Sequence, residues 1–66
     1  MVELEDGKTY EVYIERSNGD WERGHQMNSE RASAKYDDAV TASASYVEVK
    51  CLEDSEIKHS HGTKSA

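Results

Sequence analysis

Lys8-Thr-Tyr-Glu-Val-Tyr-Ile-Glu-Arg16-Ser-Asn-Gly-Asp20 is the stretch on which the fold turns. Tyr10, Val12 and Ile14 alternate with Thr9, Glu11 and Glu15, the period of two that sends apolar side chains to one face of a strand. β-branched and aromatic residues at those positions suit a pleated, half-buried surface. Asn18-Gly19 follows, a pair that favours a two-residue hairpin turn. Such a loop sets Arg16 opposite Trp21, Val12 opposite His25 and Tyr10 opposite Met27. Two strands are therefore predicted, over residues 8–17 and 20–27. One face of the pair carries Tyr10, Val12, Ile14, Trp21 and Met27, an expected core face with Trp21 closing it beside the turn.

Upstream, residues 2–5 predict a short strand. A two-residue loop would leave Val2 and Leu4 on the polar face. A three-residue loop, Asp6-Gly7-Lys8, puts Leu4 opposite Tyr10 and Val2 opposite Val12, and is favoured. Downstream the period changes. Asn28 or Ser29 can cap a helix with Glu30 in its first turn, and Ala32, Tyr36, Ala39, Val40 and Ser43 line one helical face. That predicts a helix over residues 29–44. A last strand is predicted over 46–52, with Val47, Val49 and Cys51 inward, returning by a right-handed crossover parallel to residues 2–5. The fold class is α+β, an antiparallel β-meander with one helix on one face. From Ile57 onward there is no apolar periodicity. The chain thus reads as a single small domain over 1–56 and a disordered, flexible C-terminal tail over 57–66.

The chain has 66 residues, fourteen Asp/Glu against eight Lys/Arg, and a net charge of −6. A domain this small buries only ~60% of the surface its unfolded chain exposes, so its core is thin. No apolar run approaches the ~20 residues that span a bilayer, and no charged-then-apolar start reads as a signal peptide. One cysteine, Cys51, makes no internal disulfide and fits a reducing compartment, with a cytoplasmic location expected. The negative charge argues against direct contact with nucleic acid or an anionic membrane, which need cations to replace counterions. No enzymatic constellation emerges. Asp37 and Asp38 are adjacent on the expected helix and diverge, nothing groups a nucleophile with a base, and the glycines are scattered. Inward-facing Cys51 is expected to be inert. His59-Ser-His61, His25 and Cys51 lack the paired spacing of a zinc site, and no calcium loop is present. Neither a metal nor a cofactor is expected.

Residues 1–56 hold all fourteen acids and six cations, a balance of −8, and residues 57–66 carry +2. On the registers above, Glu3, Glu5, Glu11, Glu15, Asp20, Glu22 and Glu48 point away from the helix with Tyr13 among them. Spacings of ~6.6 Å along a strand and ~4.8 Å between strands bring the carboxylates near the density of a phosphate backbone. One reading makes this face a decoy for a cationic nucleic-acid groove on another protein. The other makes it a solvated face that keeps a small protein soluble. Glu15 opposite Glu22 would repel, which favours a purpose other than stability.

In size, charge and strand-plus-helix pattern the chain resembles the small acidic phage inhibitors of the anti-CRISPR and anti-restriction type, many of which block a nucleic-acid-binding surface. The resemblance rests on no family motif. It implies a non-enzymatic inhibitor, a DNA mimic that binds a protein target with a basic surface. Glu11, Tyr13, Glu15, Asp20, Glu22 and Glu48 are the candidate contact residues. The alternative is an accessory domain that homodimerises through the edge of strand 20–27 or strand 46–52, its acids serving solubility only.

Overall fold

Alternation in Tyr10–Glu15 (β1) and Tyr46–Cys51 (β4) joins these segments along six residues each, antiparallel from Tyr10 opposite Cys51 to Glu15 opposite Tyr46. The structure, a computed structural model, describes residues 2–64. Two short strands, Trp21–Glu22 (β2) and Gln26–Met27 (β3), pair with the other edge of β1. A helix, Ser29–Thr41 (α1), follows β3, and Glu56–Gly62 (β5) completes the antiparallel sheet beside β4. The fold is α+β, with sheet order β2-β1-β4-β5. Tyr10, Val12, Ile14, Val47, Val49 and Cys51 face α1 and close on Ala32, Tyr36 and Ala39.

Helix α1 is set locally at both ends. Asn28 is the N-cap, its Oδ1 accepting from the Arg31 N–H at 2.9 Å, and Glu30 lies in the first turn. Ala32 and Ser33, Tyr36 and Ala39 give the buried stripe, so small residues bring the helix close to the sheet. It stops at Thr41, three residues short of the expected end. Ser43 takes φ +62°, the Ser43 N–H donates to the Val40 carbonyl and the Ala44 N–H to the Ala39 carbonyl. This paired closure is a Schellman cap, built on a serine where glycine is usual.

Three expectations change. Residues 2–5 form no strand. Val2 and Leu4 still pack on the core, but the backbone is held by side chains. The Tyr10 hydroxyl accepts from the Glu5 N–H at 2.9 Å and donates to the Glu5 carbonyl at 3.2 Å, while Ser33 Oγ donates to the Val2 carbonyl at 2.9 Å. Strand β4 takes the edge of β1 meant for this segment, in the direction expected of the last strand. It pairs over six residues and buries Val47, Val49 and Cys51, where residues 2–5 offer two apolar side chains. This edge therefore goes to the segment that hides more apolar surface.

Nor are residues 57–62 a tail. They belong to β5, which pairs with β4 from Cys51 opposite Glu56 to Tyr46 opposite Gly62, with a register shift that leaves Lys58 extra. Lys58 there reaches Asp54 at 2.7 Å and Glu56 at 3.1 Å. A strand that gains most of its stability from backbone pairing at an edge carries no apolar alternation to announce it. Residues 65 and 66 of the expected tail lie outside the described residues. Strand 46–52, offered as a dimerising edge, is interior because β5 covers it.

The third change concerns the hairpin. The Gly19 N–H donates to the Arg16 carbonyl at 3.0 Å and the Arg16 N–H to the Asp20 carbonyl at 2.7 Å, so the loop holds three residues, Ser17-Asn18-Gly19. Gly19 alone takes positive φ (+96°), whereas the expected two-residue turn needs it at Asn18 as well. Glu15 thus faces Trp21 and Ile14 faces Glu22. Farther along, Tyr10 faces Met27 as expected, because Arg23-Gly24-His25 opposes only Val12-Tyr13. The extra residue is a β-bulge with Gly24 at φ +97°. A one-residue slip exchanges faces, so Trp21 and Glu22 lie on the sides opposite to those expected.

Candidate partner-binding face

The sheet face turned away from α1 is a checkerboard. Cross-strand pairing sets Tyr13 beside Glu48 and Glu15 beside Tyr46, and along each strand a tyrosine stands two residues from a glutamate. Each tyrosine bonds along its own strand. The Tyr13 hydroxyl donates to Glu15 Oε2 at 2.7 Å, and the Tyr46 hydroxyl to Glu48 Oε1 at 2.8 Å. The rings meet tilted, centroids 6.2 Å apart. Although no helix among the described residues covers this face, Glu15, Tyr46 and Glu48 are 9%, 8% and 8% exposed. Burial together with the bond to Glu48 pushes the Tyr46 phenol up to about 12. The bond to Glu15 raises that of Tyr13.

Cations roof the tyrosines. Lys64 Nζ lies 5.3 Å from the Tyr13 centroid, 6.0 Å from that of Tyr46 and 3.8 Å from Glu48 Oε1. The Arg23 guanidinium, brought there by the bulge, lies 5.6 Å from the Tyr13 centroid and reaches Glu11 at 3.6 Å. Lys50 pairs with Glu11 across β1 and β4. Glu11 and Glu48 thus each have a cation within 3.8 Å, with Lys50 opposite Glu11 as well, and the face is far from the dense acidic surface expected. Beside the checkerboard, a shallow concavity is lined by Tyr13, Glu15, Asp20, Trp21 and Lys64. Trp21 stands at its rim, 64% exposed.

Of the six sequence-predicted contact residues, Glu11, Tyr13, Glu15 and Glu48 share this face and Asp20 borders it from the turn. Glu22 does not. It sits on the helix side, where Lys35 of α1 and then Arg16 hold its carboxyl below the usual range. Glu3 and Glu5 also leave the face with residues 2–5, and the Glu3 carbonyl meets His59 Nε2 at 3.0 Å. The displaced charge gathers at the sheet end, where Glu3, Glu5 and Asp54 line one hollow with Lys8 and Lys58.

Sequence reasoning missed Trp21, assigned to the core, and the cations Arg23 and Lys64. Gly24 beside Arg23 was the signal for a bulge. Nothing local marks Lys64, whose position depends on β5. His25 is exposed, outside the strands, and Cys51 is a buried free thiol. Among the described residues no three His, Cys, Asp or Glu gather to hold a metal ion, and no helix is long and apolar enough to cross a membrane. No protein-family model, curated protein or solved structure matches the chain.

Proposed function

We propose that the chain is a non-enzymatic binding protein that grips a basic segment of a protein partner with the open sheet face. Trp21 carries the reading. A tryptophan 64% exposed, next to two tyrosines and buried carboxylates, has the composition of an interface anchor. Its ring and that of Tyr13 supply contact area, while Glu11, Glu15 and Glu48 supply charge for lysine or arginine. Because this face is nearly neutral, affinity rests on close contacts more than on a long-range field. A basic nucleic-acid-binding site, the kind of target blocked by the small phage inhibitors that the chain resembles, suits such a face. The free, buried Cys51 fits work in the cytoplasm.

Trp21 is the only tryptophan, so its emission reports the face directly. Titration with a decalysine peptide should shift that emission to the blue, and 0.5 M salt should weaken the binding. By calorimetry, Trp21→Ala should lose about ten-fold in affinity, as befits an aromatic anchor. A peptide that binds Trp21→Ala as tightly as the native chain would sink the reading.

A second reading is favoured by β5, a seven-residue edge strand whose own Ile57 is 52% exposed. Edge-to-edge pairing of two copies would enlarge the thin core and give a homodimer. Sedimentation across a hundred-fold concentration range separates the two, since a tight dimer unaffected by Trp21→Ala supports only this one.

A further inference from the structure

We infer that Lys64 occupies, within the free protein, the seat built for a lysine of the partner, so that binding proceeds by displacing it. The inference rests on the binding role of the open face and adds the ligand group and its regulation. The seat consists of two tilted tyrosine rings and one buried carboxylate. The Lys64 ammonium lies within 5.3 and 6.0 Å of the ring centroids and 3.8 Å from Glu48 Oε1. Aromatic faces beside a carboxylate attract an ammonium by quadrupole and charge together.

The chain is steered to this seat. At Gly62 φ is +91°, and a Cβ there would collide with the Ser45 carbonyl oxygen. Glycine thus lets the end of β5 press against the start of β4. The Thr63 N–H then donates to that same Ser45 carbonyl at 3.1 Å, which sends Lys64 over the rings.

The two ends of the ion pair differ in a way that suits exchange. The Lys64 side chain is 58% exposed and that of Glu48 only 11%. The acceptor is a fixed part of the sheet, held by Tyr46, whereas the cation lies on the surface and contributes little, as exposed ion pairs do. A tethered group at millimolar effective concentration still competes with an incoming one. Affinity for the partner is then reduced by the fraction of molecules with the seat free.

The seat is tested without any partner. Butylammonium chloride, a minimal lysine side chain, is titrated into the native chain, Lys64→Ala and Lys8→Ala, following the Tyr13 and Tyr46 ring protons by NMR. Lys8→Ala removes the same charge away from the face. Lys64→Ala should show saturable shifts of both rings at a concentration about three- to ten-fold below that needed by the native chain and by Lys8→Ala. Glu48→Gln added to Lys64→Ala should abolish them. Equal responses in all three proteins, or none in any, overturn the inference. Decalysine should likewise bind Lys64→Ala about three- to ten-fold more tightly than Lys8→Ala, and weaker or equal binding overturns displacement. Failure of decalysine to bind while butylammonium shifts the rings would count against the binding role and leave the seat standing.

Discussion

Strands β1 and β4 bury the whole of one face and half of the other, with opposite chemistries. Toward α1, Val12, Ile14, Val47 and Val49 are 0–1% exposed beneath a helix whose small residues fit against them. Away from α1, Glu15, Tyr46 and Glu48 are nearly as hidden, yet no helix or strand among the described residues lies over them. Tyrosine rings and the Lys64 side chain provide that cover. The first face is dry and non-directional, so its stability follows the area removed from water. The second needs each hydroxyl and carboxylate matched, and no buried side-chain nitrogen or oxygen lacks a partner among the described residues. An apolar face uses up its complement in folding. A polar face roofed by movable side chains keeps contacts that another molecule can take.

The largest test falls on the covered face. Ile14→Ala should cost about 2–5 kcal/mol, by lost transfer energy and a cavity under α1. In a domain this small, urea unfolding should show most of its stability gone. Glu48→Ala leaves the Tyr46 hydroxyl without its acceptor and should cost about 1–3 kcal/mol, with Glu48→Gln costing less. Should Glu48→Ala unfold at the native urea midpoint, the open face is only decoration and the contrast fails. Asn28→Ala removes the cap that starts the covering helix, for a loss of about 1 kcal/mol in thermal unfolding. Trp21→Ala should change stability by no more than about 0.5 kcal/mol, as expected of a rim residue rather than a core one.

The most specific test varies pH. With the Tyr46 phenol raised from 10.0 to about 12 in the folded chain, folding favours its protonated form. The contribution is complete below the ordinary value of 10.0 and fades as pH climbs through about 12. Absorbance titration of tyrosinate should show a late-ionising component that Tyr46→Phe removes. A native curve that exceeds that of Tyr46→Phe by one ordinary tyrosine would mean that water reaches Tyr46 on the open face.

Much of this was legible in the chain. Alternation in Tyr10–Glu15 and Tyr46–Cys51 and the 3.6-residue stripe of α1 are local patterns that appear where read, and of the two caps read, Asn28 and Ser29, the helix uses Asn28 and ends at Thr41 rather than at residue 44. The acidic face was not, because it depended on registers that alternation leaves open. Trp21 and Glu22 changed sides because the turn holds three residues, with the extra residue at Gly24 restoring the register only from Gln26 on, and Glu3 and Glu5 left when β4 claimed their edge. Of the candidate residues, Glu11, Tyr13, Glu15 and Glu48 share one face because β1 and β4 carry strong alternation. Trp21, Arg23 and Lys64 were out of reach, since a three-residue turn, a bulge and a polar edge strand decide where they lie.

By itself, then, the sequence determined which side chains of β1, β4 and α1 turn inward, since burying apolar surface at period 2 or 3.6 is a local instruction. Only the tertiary structure decided which strand flanks β1, which way Trp21 faces, and that Lys64 caps Tyr13 and Tyr46. Those outcomes compare whole alternative pairings, whose energies depend on residues far apart in the chain.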